Sequence, residues 1–137
     1  MEGTTMRPSD DEQGRSALTA VTPARPELTV ETRYGPAGAM VCGLAGDLDI
    51  ETLAPAADML DTLVAQRPSA VVIDLHGVGF CDSSGLNVLL KTRLAAERSG
   101  VELRLAAVPP TVMRVLDLTG ARLVFTIHDS VDAALAG

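Results

Sequence analysis

One stretch limits the fold more than any other. Ala70–Leu75 reads AVVIDL, nearly all apolar and β-branched. Such a run suits a strand buried on both faces, as in a parallel sheet sandwiched by helices. The segments around it agree. Leu28–Tyr34 (LTVETRY) alternates like a half-buried strand, Gly35-Pro36-Ala37-Gly38 signals a turn, and Ala39–Ala45 (AMVCGLA) completes a hairpin. Gly46-Asp47-Leu48-Asp49 reads as a loop. Leu53, Ala56, Ala57, Leu60, Leu63 and Val64 then recur at helical spacing, with Pro55 in the first turn, where its missing N–H costs nothing.

After Ala70–Leu75, His76–Asp82 (HGVGFCD) reads as a loop and Ser83–Ser99 as a helix. That helix aligns Leu86, Leu89, Leu90 and Leu94, and Gly100 supplies a left-handed cap. A strand over Val101–Val108, a helix from Pro109-Pro110 to Gly120, a strand over Leu123–Ile127 and a short helix capped by Ser130 complete the chain. The order β-β-α-β-α-β-α-β-α predicts an α/β fold. It has a mixed, mostly parallel sheet of four to five strands, about four helices and an antiparallel edge strand.

The first 26 residues are of different material, rich in Thr, Ser, Asp and Pro without periodicity, and read as a mobile tail. Residues 27–137 form the domain, and 137 residues suit one domain. Aromatics are only 2%, so the core is built of Val, Leu, Ile and Ala, and stacking platforms for single strands or sugars are disfavoured. A formal net charge of -7 repels phosphate backbones and anionic lipid, so no nucleic acid is expected as partner. With no apolar run of transmembrane length and no signal-peptide core, no membrane insertion is expected, and a cytoplasmic location follows by elimination.

Cys42 and Cys81 sit in apolar sequence and read as buried thiols, not as a disulfide framework or zinc site. His76 and Cys81, five residues apart, invite a nucleophile–base pairing, but no third group is placed to orient them. Gly77-Val78-Gly79 lacks the partners of a dinucleotide or phosphate loop. Asp74 reads as a hydrogen-bonded structural group and His128 as a surface residue at a strand end. Neither a cofactor nor a metal is expected.

The informative stretch is Gly79-Phe80-Cys81-Asp82-Ser83-Ser84-Gly85-Leu86, between a buried strand and a helix start. Open α/β sheets use that edge for binding. Asp82 is placed as N-cap, with Ser83 and Ser84 in the first turn. On spacing alone the serines are either ordinary helix-start residues or modification sites. A phosphate on Ser83 adds roughly -1.5 to -2 charges, which a helix N-terminus tolerates. Its effect then falls on whatever docks there. Asp49 is either the N-cap of the first helix or a partner contact. From Asp47 to Asp82 carboxylates outnumber cations, Asp47, Asp49, Glu51, Asp58, Asp61, Asp74 and Asp82 against Arg67, whereas Lys91, Arg93, Arg98, Arg104, Arg114 and Arg122 follow Ser83. If the loops at Asp47 and Asp82 share an edge, that edge is acidic and suits a basic partner.

Asp82-Ser83-Ser84-Gly85-Leu86 after the apolar pair Phe80-Cys81, the turn Gly46-Asp47-Leu48-Asp49 and the element order together resemble the STAS domain of bacterial anti-sigma factor antagonists. The resemblance runs from about Leu28 to the end. It implies a protein that is not an enzyme and that switches partners. Unphosphorylated, it binds an anti-sigma factor with serine kinase activity and so frees a sigma factor. ATP-dependent phosphorylation ends the binding, and a serine phosphatase restores it. The acceptor maps to Ser83, with Ser84 as second choice, and partner contacts to Asp47, Asp49, Asp82, Ser83, Ser84, Gly85 and Asn87. Asn87 departs from the family pattern, which commonly has a glycine there. The alternative role is a STAS docking subunit of a signalling scaffold or lipid-transport complex that acts on no sigma factor.

Overall fold

A computed structural model describes residues 28–137; the tail expected over residues 1–26 lies outside them. Strands β1 (Leu28–Tyr34), β2 (Met40–Leu48), β3 (Ala70–Cys81), β4 (Glu102–Ala106) and β5 (Thr126–His128) form one sheet in chain order. Helices α1 (Leu53–Ala65), α2 (Ser83–Ser99), α3 (Pro110–Thr119) and α4 (Val131–Ala136) connect or follow them. β1 runs antiparallel to β2, pairing Leu28 with Gly46 and Tyr34 with Met40, and every other neighbouring pair is parallel. The fold class and element order are those expected.

Side-chain alternation sorts the strands into two faces. Met40, Cys42 and Leu44, Val71, Ile73 and Leu75, and Leu105 point into the main core with Leu60 and Leu63 of α1, Leu86 and Leu89 of α2, and Val112 and Leu116 of α3. Val41, Val72 and Ala106 point the other way and are covered by Ala134 of the short α4. Arg104 Nη1 holds that helix by donating to the Ala134 carbonyl at 2.7 Å. Covered on both sides, Val71, Val72 and Ile73 are wholly buried, as the AVVIDL pattern predicts.

Four boundaries differ from expectation. Gly46-Asp47-Leu48 is not loop but the end of β2, and His76–Cys81 is not loop but the second half of β3. In this half His76, Gly77, Gly79 and Phe80 are exposed, while Leu75, Val78 and Cys81 still point into the core. The run Leu123–Ile127 is not one strand: Ala121–Val124 is a 3-10 turn and only Thr126–His128 is strand. The strand expected over Val101–Val108 shortens to Glu102–Ala106. Within α2, Leu94 departs from its stripe. Eight residues beyond Leu86, it has rotated off the core side and is 45% exposed.

Candidate functional site

The carboxyl end of β2 and β3 is shaped by two register shifts. Gly43 pairs with Asp74 but Ala45 with Gly77, and Gly46 pairs with Val78 but Asp47 with Phe80. Each shift inserts one extra residue into β3. The first is braced by Asp74, whose Oδ1 accepts from the His76 N–H at 3.0 Å, which is the structural use expected of it. At the second, Gly46 takes φ 111°, a conformation that β-carbon-bearing residues rarely adopt. β3 pairs with β4 only as far as Asp74, so the paired ends of β2 and β3 run on past β4 and form a corner of the sheet.

Two turns leave this corner. After β2, Asp49 Oδ1 accepts from the Glu51 N–H at 2.9 Å, and Thr52 Oγ1 donates to the Asp47 carbonyl at 2.6 Å. The residue at the N-cap position of α1 is Thr52, not Asp49. Asp49 acts earlier, building the turn that leads into the helix. After β3, Asp82 is extended and caps α2, its Oδ1 accepting from the Gly85 N–H at 2.9 Å. The Asp82 N–H donates to the Leu48 carbonyl at 3.3 Å, tying the two turns together.

Gly85 locks this join. It is buried, and a Cβ on it would run into the Leu48 carbonyl oxygen and stand 2.9 Å from Leu48 Cγ. Only glycine lets the first turn of α2 lie this close to β2. Its contribution to the site is therefore this close approach. Ser83 follows the cap directly and is exposed, Ser84 is half-buried, and Asn87 is exposed one helical turn from Ser83. Among the described residues, neither serine hydroxyl is engaged, nor are the Ser83 and Ser84 N–H groups. Unpaired first-turn N–H groups and the helix dipole both favour negative charge at this point.

Of the residues marked out from sequence, Asp47, Asp49, Asp82, Ser83, Ser84 and Gly85 meet at this corner, and Asn87 extends it along α2. Asp58 and Asp61 lie on exposed positions of α1, and Asp74 lies within the sheet. The ion pairs of the described residues, Arg93–Glu97, Arg104–Glu102 and Arg122–Asp117, involve none of the corner carboxylates. The corner is therefore acidic without internal neutralisation of Asp47, Asp49 or Asp82. Ile50 and Phe80 were not among the expected contacts, yet they stand here 69% and 50% exposed.

The nucleophile–base pairing of His76 and Cys81 does not form. His76 is exposed on the outer side of β3, whereas Cys81 is buried in the main core. Burial, with Asp82 adding to it, pushes the Cys81 thiol up to about 11. Burial does the same to Cys42. Neither thiol supplies a thiolate at neutral pH. His128 differs from the surface residue expected: it is half-buried, its Nε2 has no hydrogen-bond partner among the described residues, and Gly137 lies beside its ring. No helix among the described residues is long and apolar enough to cross a membrane.

The sequence profile of the STAS domain matches residues 28–134. An anti-sigma F factor antagonist of Paenibacillus polymyxa is 31% identical over 99 residues, which covers 72% of this chain and 85% of that protein. The anti-sigma-F factor antagonist RsfB of Mycobacterium tuberculosis is 31% identical over 106 residues, covering 73% of this chain and 84% of that one. Among solved structures, an anti-sigma factor antagonist from Mycobacterium paratuberculosis superposes with a TM-score of 0.73 at 28% identity, covering 80% of this chain and 92% of that one. The unphosphorylated form of SpoIIAA superposes with a TM-score of 0.66 at 19% identity, covering 78% of this chain and 93% of that one, a likeness of fold.

Proposed function

The chain belongs to the STAS domain family, and from that membership we propose that it is an anti-sigma factor antagonist switched off by phosphorylation of Ser83. Unphosphorylated, it binds an anti-sigma factor with serine kinase activity and so releases a sigma factor. The observation that carries the choice of Ser83 is its combination of exposure and idleness. Asp82 supplies the cap, so the Ser83 hydroxyl holds nothing in the fold. Ser84, half-buried beside it, is less open to a kinase.

In the phosphorylation step, Ser83 Oγ attacks the γ-phosphorus of ATP held by the kinase. The new P–Oγ bond forms as the bond to the β,γ-bridging oxygen breaks. ADP leaves, and the hydroxyl proton passes to a base of the kinase. This chain is the substrate of that reaction and catalyses none of it. The dianion is tolerated by the α2 N-terminus but lies beside the Asp82 carboxylate on an already acidic corner. A partner surface fitted to a neutral hydroxyl loses its fit, and the complex separates. A serine phosphatase restores the hydroxyl by hydrolysis, releasing inorganic phosphate.

The test is incubation with ATP and an anti-sigma factor kinase that the chain binds, followed by mapping of phosphate by mass spectrometry. Phosphate is expected on Ser83, absent in Ser83→Ala and retained in Ser84→Ala, and its addition should release the kinase. A stable complex that leaves both serines unmodified would replace the switch with a constitutive docking module.

A further inference from the structure

We propose that Ile50 and Phe80 are the apolar anchors by which this chain grips its partner, and that the partner presents an apolar pocket rimmed by lysine or arginine. The inference rests on the function proposed above and specifies the surface that Ser83 controls. Single exposed apolar residues are ordinary on protein surfaces. Three observations set this pair apart.

The first is the cost in aromatic residues. The whole chain has two phenylalanines, one tyrosine and no tryptophan. Phe125 packs against the core, and Tyr34 stands exposed at the other end of the β1–β2 pair, so Phe80 is the aromatic exposed at the corner. Phe80, which would fill a core well, is 50% exposed beside Asp47.

The second is how Phe80 comes to face outward. Val78 and Cys81 both point into the core although they stand three positions apart, an odd spacing that puts them on opposite faces of a regular strand. That is possible because the register shift between Gly46 and Asp47 leaves Gly79 and Phe80 together on the exposed side. Bulges commonly re-aim side chains in this way beside functional sites. Ile50 is presented by an equally defined device, the turn braced by Asp49 and Thr52. Both side chains are held by backbone that is already ordered, so docking immobilises little further chain.

The third is charge. Asp47 is the register partner of Phe80, Asp49 directly precedes Ile50 and Asp82 lies two residues after Phe80, and none takes part in the ion pairs of the described residues. An apolar centre with an acidic rim is complementary to an apolar pocket with a basic rim. The same basic rim would meet the dianion on Ser83, so release must come from lost fit and desolvation at the centre rather than from repulsion by the rim.

The test is a titration of the wild-type chain and its variants against purified anti-sigma factor kinases encoded in the same genome, without ATP. Phe80→Ala and Ile50→Ala should each weaken binding about tenfold or more, the usual loss on truncating a central anchor. Phe80→Leu should recover most of the Phe80→Ala loss. Leu123→Ala, at a 91% exposed apolar residue away from the corner, should bind as wild type. Raising the salt concentration should weaken binding, and Asp47→Asn should reduce that salt dependence. Unchanged thermal midpoints will show that the variants fold. If the Phe80 and Ile50 variants bind like wild type while phosphorylation of Ser83 still releases the kinase, the anchors are refuted and the antagonist function stands. If no such kinase binds the wild-type chain, the function falls and the anchors with it.

Discussion

Two helices of this domain begin with a serine close to the cap, and they use it in opposite ways. At α4, Ser130 is the cap, and its Oγ accepts from the Ala133 N–H at 3.0 Å. At α2, the cap is Asp82, which accepts from the Gly85 N–H at 2.9 Å. Ser83, one residue further on, is left exposed with its hydroxyl unengaged among the described residues. A helix start needs one side-chain acceptor in the cap position. Once a carboxylate fills it, a neighbouring serine is free for other chemistry. The same residue type at the same kind of place is thus structural in one helix and available in the other.

The largest effect that could break this contrast comes from the join beneath α2. Gly85→Ala should cost about 3 kcal/mol, because a rigid β-strand carbonyl occupies the space a Cβ needs. A denaturation midpoint close to wild type would show that α2 is not locked to β2. Next come the caps. Asp82→Ala and Ser130→Ala should each lower stability by about 1 kcal/mol in chemical denaturation, whereas Asp82→Asn, which keeps an acceptor oxygen, should recover most of the Asp82→Ala loss.

A smaller effect comes from the two buried thiols, Cys81 before the α2 cap and Cys42 in β2. Cys81 and Cys42 ionise near 9.0 unfolded and near 11 in the fold. The folded state keeps its thiol protons longer, so the penalty is absent well below pH 9 and grows as pH rises from about 9 to about 11. At pH 9 it should be about 0.4 kcal/mol per thiol, to be read from denaturation curves at pH 7 and 9. The smallest expected effect is the most discriminating. Ser83→Ala should leave stability within about 0.5 kcal/mol of wild type. A loss equal to that of Ser130→Ala would mean that Ser83 is a structural residue after all.

Much of this was legible in the sequence, and the failures share a cause. The bounds of α2, its Asp82 cap and the glycine at its end follow from residue types whose local conformations are narrow. The second half of β3 was hidden because its outward residues are exposed there. At exposed positions, His76, Gly77 and Gly79 satisfy a strand as well as a loop. Leu123 failed in the opposite sense: read as the start of a strand, it lies in a 3-10 turn and is 91% exposed. Phe80 was readable in principle. Val78 and Cys81 cannot both face inward in an unbulged strand, so a core placement for both forces an irregularity between them. Of the two readings open for Asp49, cap or partner contact, the cap fails because Thr52 stands at the N-cap position and Asp49 builds the turn before it.

The close packing of Gly85 on Leu48 also bears on how this corner can evolve. In a library carrying every substitution, position 85 should accept almost nothing but glycine, whereas position 83, two residues away, should accept many residues without loss of folded protein. Selection on the fold and selection on signalling would thus act on separate letters of one short motif. New partner specificities could be explored at 83, 80 and 50 while 85 stays glycine whatever side chain position 48 carries, because the obstacle there is backbone.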